Sequence, residues 1–343
     1  MRVAIFSTKP YGRKFLDEAN QRLIDAGGPA TGHELGYFES RLTAESVALA
    51  FGIPAVSVSV NDEIDPPVLS MLSGGGTKLV ALRCAGFNNT NVAEAACLGV
   101  TIVRVPAYSP HAVAEHTIGL MLALNRKLHR AHARVREGNF ALEGLLGFNL
   151  NRKTVGVIGT GRIGAIVAQI LEGFGCRVLL NDLHPNAALT AAGTPYVELD
   201  TLLAESDVIT LHCPLTPETN HLINQETLAK VKPGLMLVST SRGALVNATA
   251  AIDALKTGTL GFLRLDIYEE ESDLFFRDLS DHVMQDDAFS RLLTFPNVLI
   301  TGHQAFFTAE AMAAIAEITI ANLTAFERGE SLVANQVTVD MVR

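Results

Sequence analysis

Short apolar runs alternate along the chain with longer stretches whose apolar positions recur at helical spacing. VAIFS (3–7), LVALRC (79–84) and VTIVRV (100–105) read as buried strands. The glycine-rich stretches around Gly27-Gly28-Pro29 and Gly74-Gly75-Gly76 read as loops. Next comes PAYSPHAVAEHTIGLMLALNRKLHRAHARV (106–135), in which Ser109 can cap one long helix whose first position is Pro110. Val113, Ile118, Met121, Leu122 and Leu128 fall on its apolar face, and basic residues gather near its end.

A second alternating series follows: TVGVIG (154–159), RVLLN (177–181), DVITLH (207–212), LMLVS (235–239), FLRLDIY (262–268) and NVLI (297–300), with a closing helix over 308–328. Alternation of this kind predicts an α/β protein with two parallel-sheet domains, the second a doubly wound dinucleotide-binding sheet. The expected division is a first domain over 1–106 completed by 305–343, and a second over 107–304.

Composition narrows the function classes. The 343 residues are 48% hydrophobic, enough for two cores. A formal net charge of −9, with no basic run to offset it, argues against nucleic acid and anionic membrane surfaces as partners. The N-terminal apolar run is too short for a signal peptide, and no continuous apolar stretch approaches the roughly 18 residues of a spanning helix. Cys84, Cys97, Cys176 and Cys213 form no CxxC pair, as expected for free thiols in a reducing, cytoplasmic compartment. The histidines lack metal-binding spacing, so no metal is expected.

Chemistry concentrates in four places. GTGRIG puts Gly159, Gly161 and Gly164 directly after a strand and at the start of a helix, where glycines permit a tight turn and close approach to a pyrophosphate. Asp182, at the end of the next strand, suits a ribose 2′-hydroxyl and would repel a 2′-phosphate; the expected cofactor is NAD. STSRGALVN sets Arg242 after a strand, where a guanidinium can grip a carboxylate with two parallel hydrogen bonds or simply pair with a neighbouring acid. ITGHQAF sets His303 after the last strand, placed for acid–base work or for a structural role. His212, inside an apolar strand, and His116 read as structural. LDIYEEESDLFF places Glu269, Glu270 and Glu271 in a row, and adjacent carboxylates favour water, so at least two of the three are expected to be solvated.

Taken in order, GTGRIG with Asp182, TSRG, DIYEEE and TGHQAF resemble the D-2-hydroxyacid dehydrogenase family over almost the whole chain. RCAGFNN, VPAYSP, GFNL, LHCPLTPE and DLFF add to that resemblance. It implies NAD-dependent reduction of a 2-keto acid: pyruvate, or alternatively phenylpyruvate, 2-ketobutyrate or hydroxypyruvate. It also implies that Glu271 is the catalytic carboxylate, His303 the acid/base and Arg242 the substrate clamp, with Glu269 and Glu270 solvated. Arg162 and Ile163 would join the pyrophosphate loop, Cys213, Pro214 and Thr219 the adenosine side, and Thr240, Ser241 and Asp266 the nicotinamide side. Ala85 and Gly86 would offer backbone N–H groups to the substrate carboxylate, and Tyr108 a phenol. Phe306 and Phe307, with Tyr108, suggest an apolar pocket. The chain departs from the family pattern at Ser239, Asn247 and Arg264, the last a charge at a strand position usually held by a small residue. The helix after Pro110 is a candidate face for a homo-oligomer, dimer or tetramer. An NADH-sensing binding module is the alternative from another functional class.

Overall fold

The computed structural model describes residues 1–271 and 274–342. Asp273, the first residue of the DLFF block, lies outside them. The chain divides into two compact units, Met1–Ser109 with Phe307–Arg343, and Pro110–Phe306.

The first unit holds a five-stranded parallel sheet of β1 (Arg2–Ile5), β2 (Glu34–Tyr37), β3 (Ala55–Val58), β4 (Leu79–Leu82) and β5 (Thr101–Val103), in the order β2-β1-β3-β4-β5. This is the flavodoxin-like order. β2 and β3 go beyond the three strands expected here. β2 is an edge strand with only intermediate burial, so its apolar signal is weak. β3 is fully buried but includes Ser57, whose hydroxyl accepts a hydrogen bond from Arg83 Nη1 at 3.1 Å. The closing helix, Ala309–Glu327, is long and apolar enough to cross a bilayer by composition. Half of its most apolar window is buried, with Ala316, Ile320 and Leu323 packed on Val3, Ile5, Ala81 and Val103 of the sheet.

The second unit holds six parallel strands: β6 (Thr154–Ile158), β7 (Arg177–Asn181), β8 (Val208–Leu211), β9 (Leu235–Ser239), β10 (Leu260–Leu265) and β11 (Val298–Ile300). Their order is β11-β10-β9-β8-β6-β7, so connections reverse direction between β6 and β8. Open parallel sheets bind ligands in the crevice outside the carboxyl ends at such a reversal. The strands are apolar on both faces because helices cover both, giving one core around Leu237 and Leu263 and another around Val157 and Met236.

The single long helix expected after Pro110 is two helices, Pro110–Asn125 and Leu128–Arg136. Lys127 takes a left-handed backbone (φ 49°) and breaks the run. Asn125 is drawn away from helix continuation by bonding the N–H and the carbonyl of Phe148 at 2.9 and 2.8 Å. The apolar face of the first helix is spent inside its own unit, with Ala114, Ile118 and Met121 in the core. The exposed apolar side chains lie further on, at Leu128, Val135, Phe140, Leu142 and Leu146.

Candidate active site

Every candidate residue of the second unit follows the carboxyl end of a strand. The glycine turn follows β6, Asp182 follows β7, Cys213 follows β8, Thr240–Arg242 follow β9, Asp266–Glu271 follow β10 and His303 follows β11.

The glycine turn is dictated by space. Gly159 has φ 90°, and a Cβ there would meet the backbone of His212 and Cys213. A Cβ on Gly164 would fall onto the Gly159 carbonyl oxygen. Gly161, by contrast, faces open space, and the helix Arg162–Gly173 starts there without a side-chain cap. The leading N–H groups, those of Arg162 and Ile163 among them, therefore point into an open cradle that suits a pyrophosphate. Asp182 accepts from Thr160 N and Thr160 Oγ1 on one oxygen and from His184 N, at 2.8 Å, on the other. A carboxylate has about four acceptor sites, so one remains for a ribose hydroxyl. These residues fit NAD.

The other residues expected on the cofactor side are held by their own hydrogen bonds. Thr240 Oγ1 lies 2.9 Å from Thr117 Oγ1, and Ser241 Oγ donates to the Cys213 carbonyl at 2.8 Å. Thr219 Oγ1 closes its own turn by donating to the Pro214 carbonyl at 2.8 Å. Burial pushes the Cys213 thiol up to about 11, so it remains a thiol.

Asp266 is buried and holds the histidine loop. Its Oδ1 accepts from Thr301 Oγ1 and from Gln304 N at 3.0 Å, and its Oδ2 accepts from Ala305 N at 2.8 Å. Its backbone carbonyl accepts from His303 N at 2.6 Å. Burial alone would raise this carboxyl, but the nearby His116 ring, 3.4 Å away, and these three donors outweigh it and hold it below the usual carboxylate range. The loop so fixed puts His303 at φ 52°, a left-handed backbone that a histidine rarely adopts.

His303 Nδ1 lies 2.9 Å from Glu271 Oε1, both side chains about one-fifth exposed. The second Glu271 oxygen accepts from Tyr268 N at 3.3 Å. His303 Nε2 makes no hydrogen bond among the described residues. The rings of Phe276 and Phe306 flank the imidazole at centroid distances of 5.7 and 6.3 Å. Arg242 has no carboxylate within ion-pair reach among the described residues; its Nη1 donates only to the Ser241 carbonyl, at 2.6 Å. A cation left unpaired at the ligand-binding edge of a sheet is available to an anionic ligand.

Ala85, Gly86 and Tyr108 belong to the first unit. The N–H groups of Ala85 and Gly86 donate to nothing among the described residues, while the Ala85 carbonyl accepts from Arg104 Nη1 at 2.8 Å. Phe307 also lies in that unit, edge-on to Tyr11 at 4.7 Å.

The glutamate triplet does not divide as expected. Glu270 is exposed, but Glu269 is not merely solvated: its Oε1 lies 2.7 Å from His221 Nε2. Neither His221 nor Phe276 stood out in the sequence, because the partner that gives each its place is remote along the chain. Arg264 is fully buried, and none of its three guanidinium nitrogens has a hydrogen-bond partner among the described residues. Burial brings it down to about 9, opposed by the charge of Asp266.

Comparison with known proteins gives a consistent answer. Residues 118–305 match the family model described as D-isomer specific 2-hydroxyacid dehydrogenase, NAD binding domain. The chain is 51% identical to the D-lactate dehydrogenase of Escherichia coli (strain K12), over 96% of this chain and 98% of that one. Among solved structures, the pyruvate reductase of Chlamydomonas reinhardtii superposes with a TM-score of 0.90 at 43% identity, covering 97% of this chain and 98% of the other. The D-lactate dehydrogenase of Aquifex aeolicus, complexed with NAD and lactic acid, gives 0.85 at 33% identity, covering 98% of each.

Proposed function

The chain belongs to the D-isomer specific 2-hydroxyacid dehydrogenases, with the second unit as its NAD-binding domain, and on that premise we propose that it reduces pyruvate to D-lactate. The observation that carries this reading is the Glu271–His303 couple at 2.9 Å, at the same strand-end edge as Arg242, which has no ion-pair partner among the described residues. NADH, when bound, supplies the hydride. Arg242 holds the substrate carboxylate with paired hydrogen bonds. Because Nδ1 of His303 is engaged by Glu271, Nε2 is the atom that gives its proton to the carbonyl oxygen. Glu271 fixes the ring and stabilises the imidazolium by opposite charge. Asp266 positions His303 by anchoring its loop. A fixed clamp and a fixed proton donor leave one face of the carbonyl to the cofactor, so one product hand results. The aromatic rings of Phe276 and Phe306 favour a small apolar substituent over a charged one.

NADH oxidation against pyruvate, phenylpyruvate, 2-ketobutyrate and hydroxypyruvate, with chiral analysis of the product, tests this. The highest kcat/KM with pyruvate and a D product is expected; an L product, or no turnover on any of them, overturns it.

We infer cytoplasmic residence, supported by four free cysteines. We also infer a homo-oligomer. Phe140, Leu142 and Leu146, which are 75%, 79% and 87% exposed, support a face that a second copy covers.

A further inference from the structure

The second unit contains another carboxylate–imidazole pair, Glu269 Oε1 and His221 Nε2 at 2.7 Å, whose tautomer is fixed by a third residue. Asn247 caps the helix Ala248–Thr257, its Oδ1 accepting the Ala250 N–H at 2.9 Å. Its Nδ2 is therefore the atom that lies 3.3 Å from His221 Nδ1. An amide nitrogen only donates, so Nδ1 accepts, and the ring proton sits on Nε2 and goes to Glu269.

The backbone around this chain grips the turn that carries Arg242. On one side His221 N donates to the Ala244 carbonyl at 2.7 Å, and Ile223 N to the Leu245 carbonyl at 2.9 Å. On the other, Gly243 lies so close to the Tyr268 carbonyl and the Glu269 nitrogen that a Cβ there would overlap both. The turn is thus held between the segment at 221–223 and the segment at 268–269. The Glu269–His221 hydrogen bond joins the two holding segments directly, and His221 takes a left-handed backbone (φ 51°) in doing so.

We propose that Asn247, His221 and Glu269 form a positioning chain for Arg242, a deepening of the proposed function that rests on Arg242 binding the substrate carboxylate. Breaking the chain lets the turn open and misplaces the guanidinium. The pyrophosphate cradle, built by the turn after β6, is untouched.

The test compares Glu269→Ala and Glu269→Gln with the wild type in pyruvate reduction, alongside NADH affinity and the ¹⁵N signals of His221. Glu269→Ala is expected to raise KM for pyruvate about tenfold, less than the roughly 10²-fold cost of a 1 Å misplacement, with NADH affinity within about twofold of wild type. Glu269→Gln should recover most of the loss, since its carbonyl oxygen accepts the same Nε2–H. The wild-type imidazole should show an unprotonated Nδ1 and a protonated Nε2 at neutral pH, and Asn247→Asp should protonate both nitrogens. Wild-type kinetics in Glu269→Ala, a loss that Glu269→Gln does not repair, or an Nδ1-protonated wild-type ring overturns the positioning chain. A wild-type protein that turns over no 2-keto acid overturns instead the proposed function on which the chain's task depends.

Discussion

His212 offers a quantitative test of how the cofactor edge of the second unit is packed. It follows β8, its backbone N–H donates to the Ile158 carbonyl at 2.7 Å, and its Nε2 lies 2.9 Å from Thr210 Oγ1. Burial pushes its pKa from 6.5 down to about 3. The unfolded chain therefore binds a proton that the folded one refuses, and stability falls as pH drops below about 6.5. Taking these two values, the loss from this one group between pH 7.5 and 5.0 is about 2 kcal/mol. Part of the residue's surface is open to solvent, which screens the penalty, so about 1–2 kcal/mol is expected. The perturbation is His212→Gln, which keeps a polar side chain near Thr210 but cannot titrate. Urea unfolding followed by circular dichroism at the two pH values gives a stability difference for each protein. Other histidines contribute equally to both and cancel. The difference should be about 1–2 kcal/mol smaller in the variant. Equal pH dependence in the two proteins would refute the assignment, whatever the variant's stability at pH 7.5.

Three further substitutions probe the site. Gly164→Ala drives a Cβ into the Gly159 carbonyl oxygen, so the helix after the glycine turn must shift; a loss of about 1–3 kcal/mol in stability and at least tenfold weaker NADH binding are expected, read by thermal unfolding and fluorescence titration. Asp266→Asn removes a carboxylate whose folded pKa is depressed. Its contribution is full above the usual 3.8 and is lost as pH falls through the lower folded value, so the variant should be less stable at pH 7 yet lose less on acidification, as acid-unfolding curves will reveal. Arg242→Lys keeps the charge but not the paired geometry, and kcat/KM for pyruvate should fall about 10- to 100-fold with NADH affinity unchanged; steady-state kinetics that match wild type would remove Arg242 from the site.

The strands of the second unit were legible because each is a short, mostly apolar run, as a sheet covered on both faces requires. β2 was not, since an edge strand of intermediate burial carries little apolar signal, and Lys127 gave no warning that it would break a helix. In the site, the glycine turn could be read locally because its chemistry is local: spacing decides which glycine must lack a Cβ. Glu271 could not be told from Glu269 by spacing alone. Both are half-buried and both bind an imidazole, and what separates them is which histidine the fold brings up, His303 or His221. The buried Arg264 was foreseen as a charge in need of a partner, and its guanidinium has no hydrogen bond among the described residues.

Pyruvate reduction by His303→Gln, measured beside the wild type under saturating NADH, bears most directly on the proton transfer at the centre of this enzyme. If His303 is the proton donor, its removal should lower kcat/KM by about 10²- to 10⁴-fold while fold and NADH affinity stay intact. A folded, NADH-binding His303→Gln protein that reduces pyruvate at the wild-type rate would contradict it.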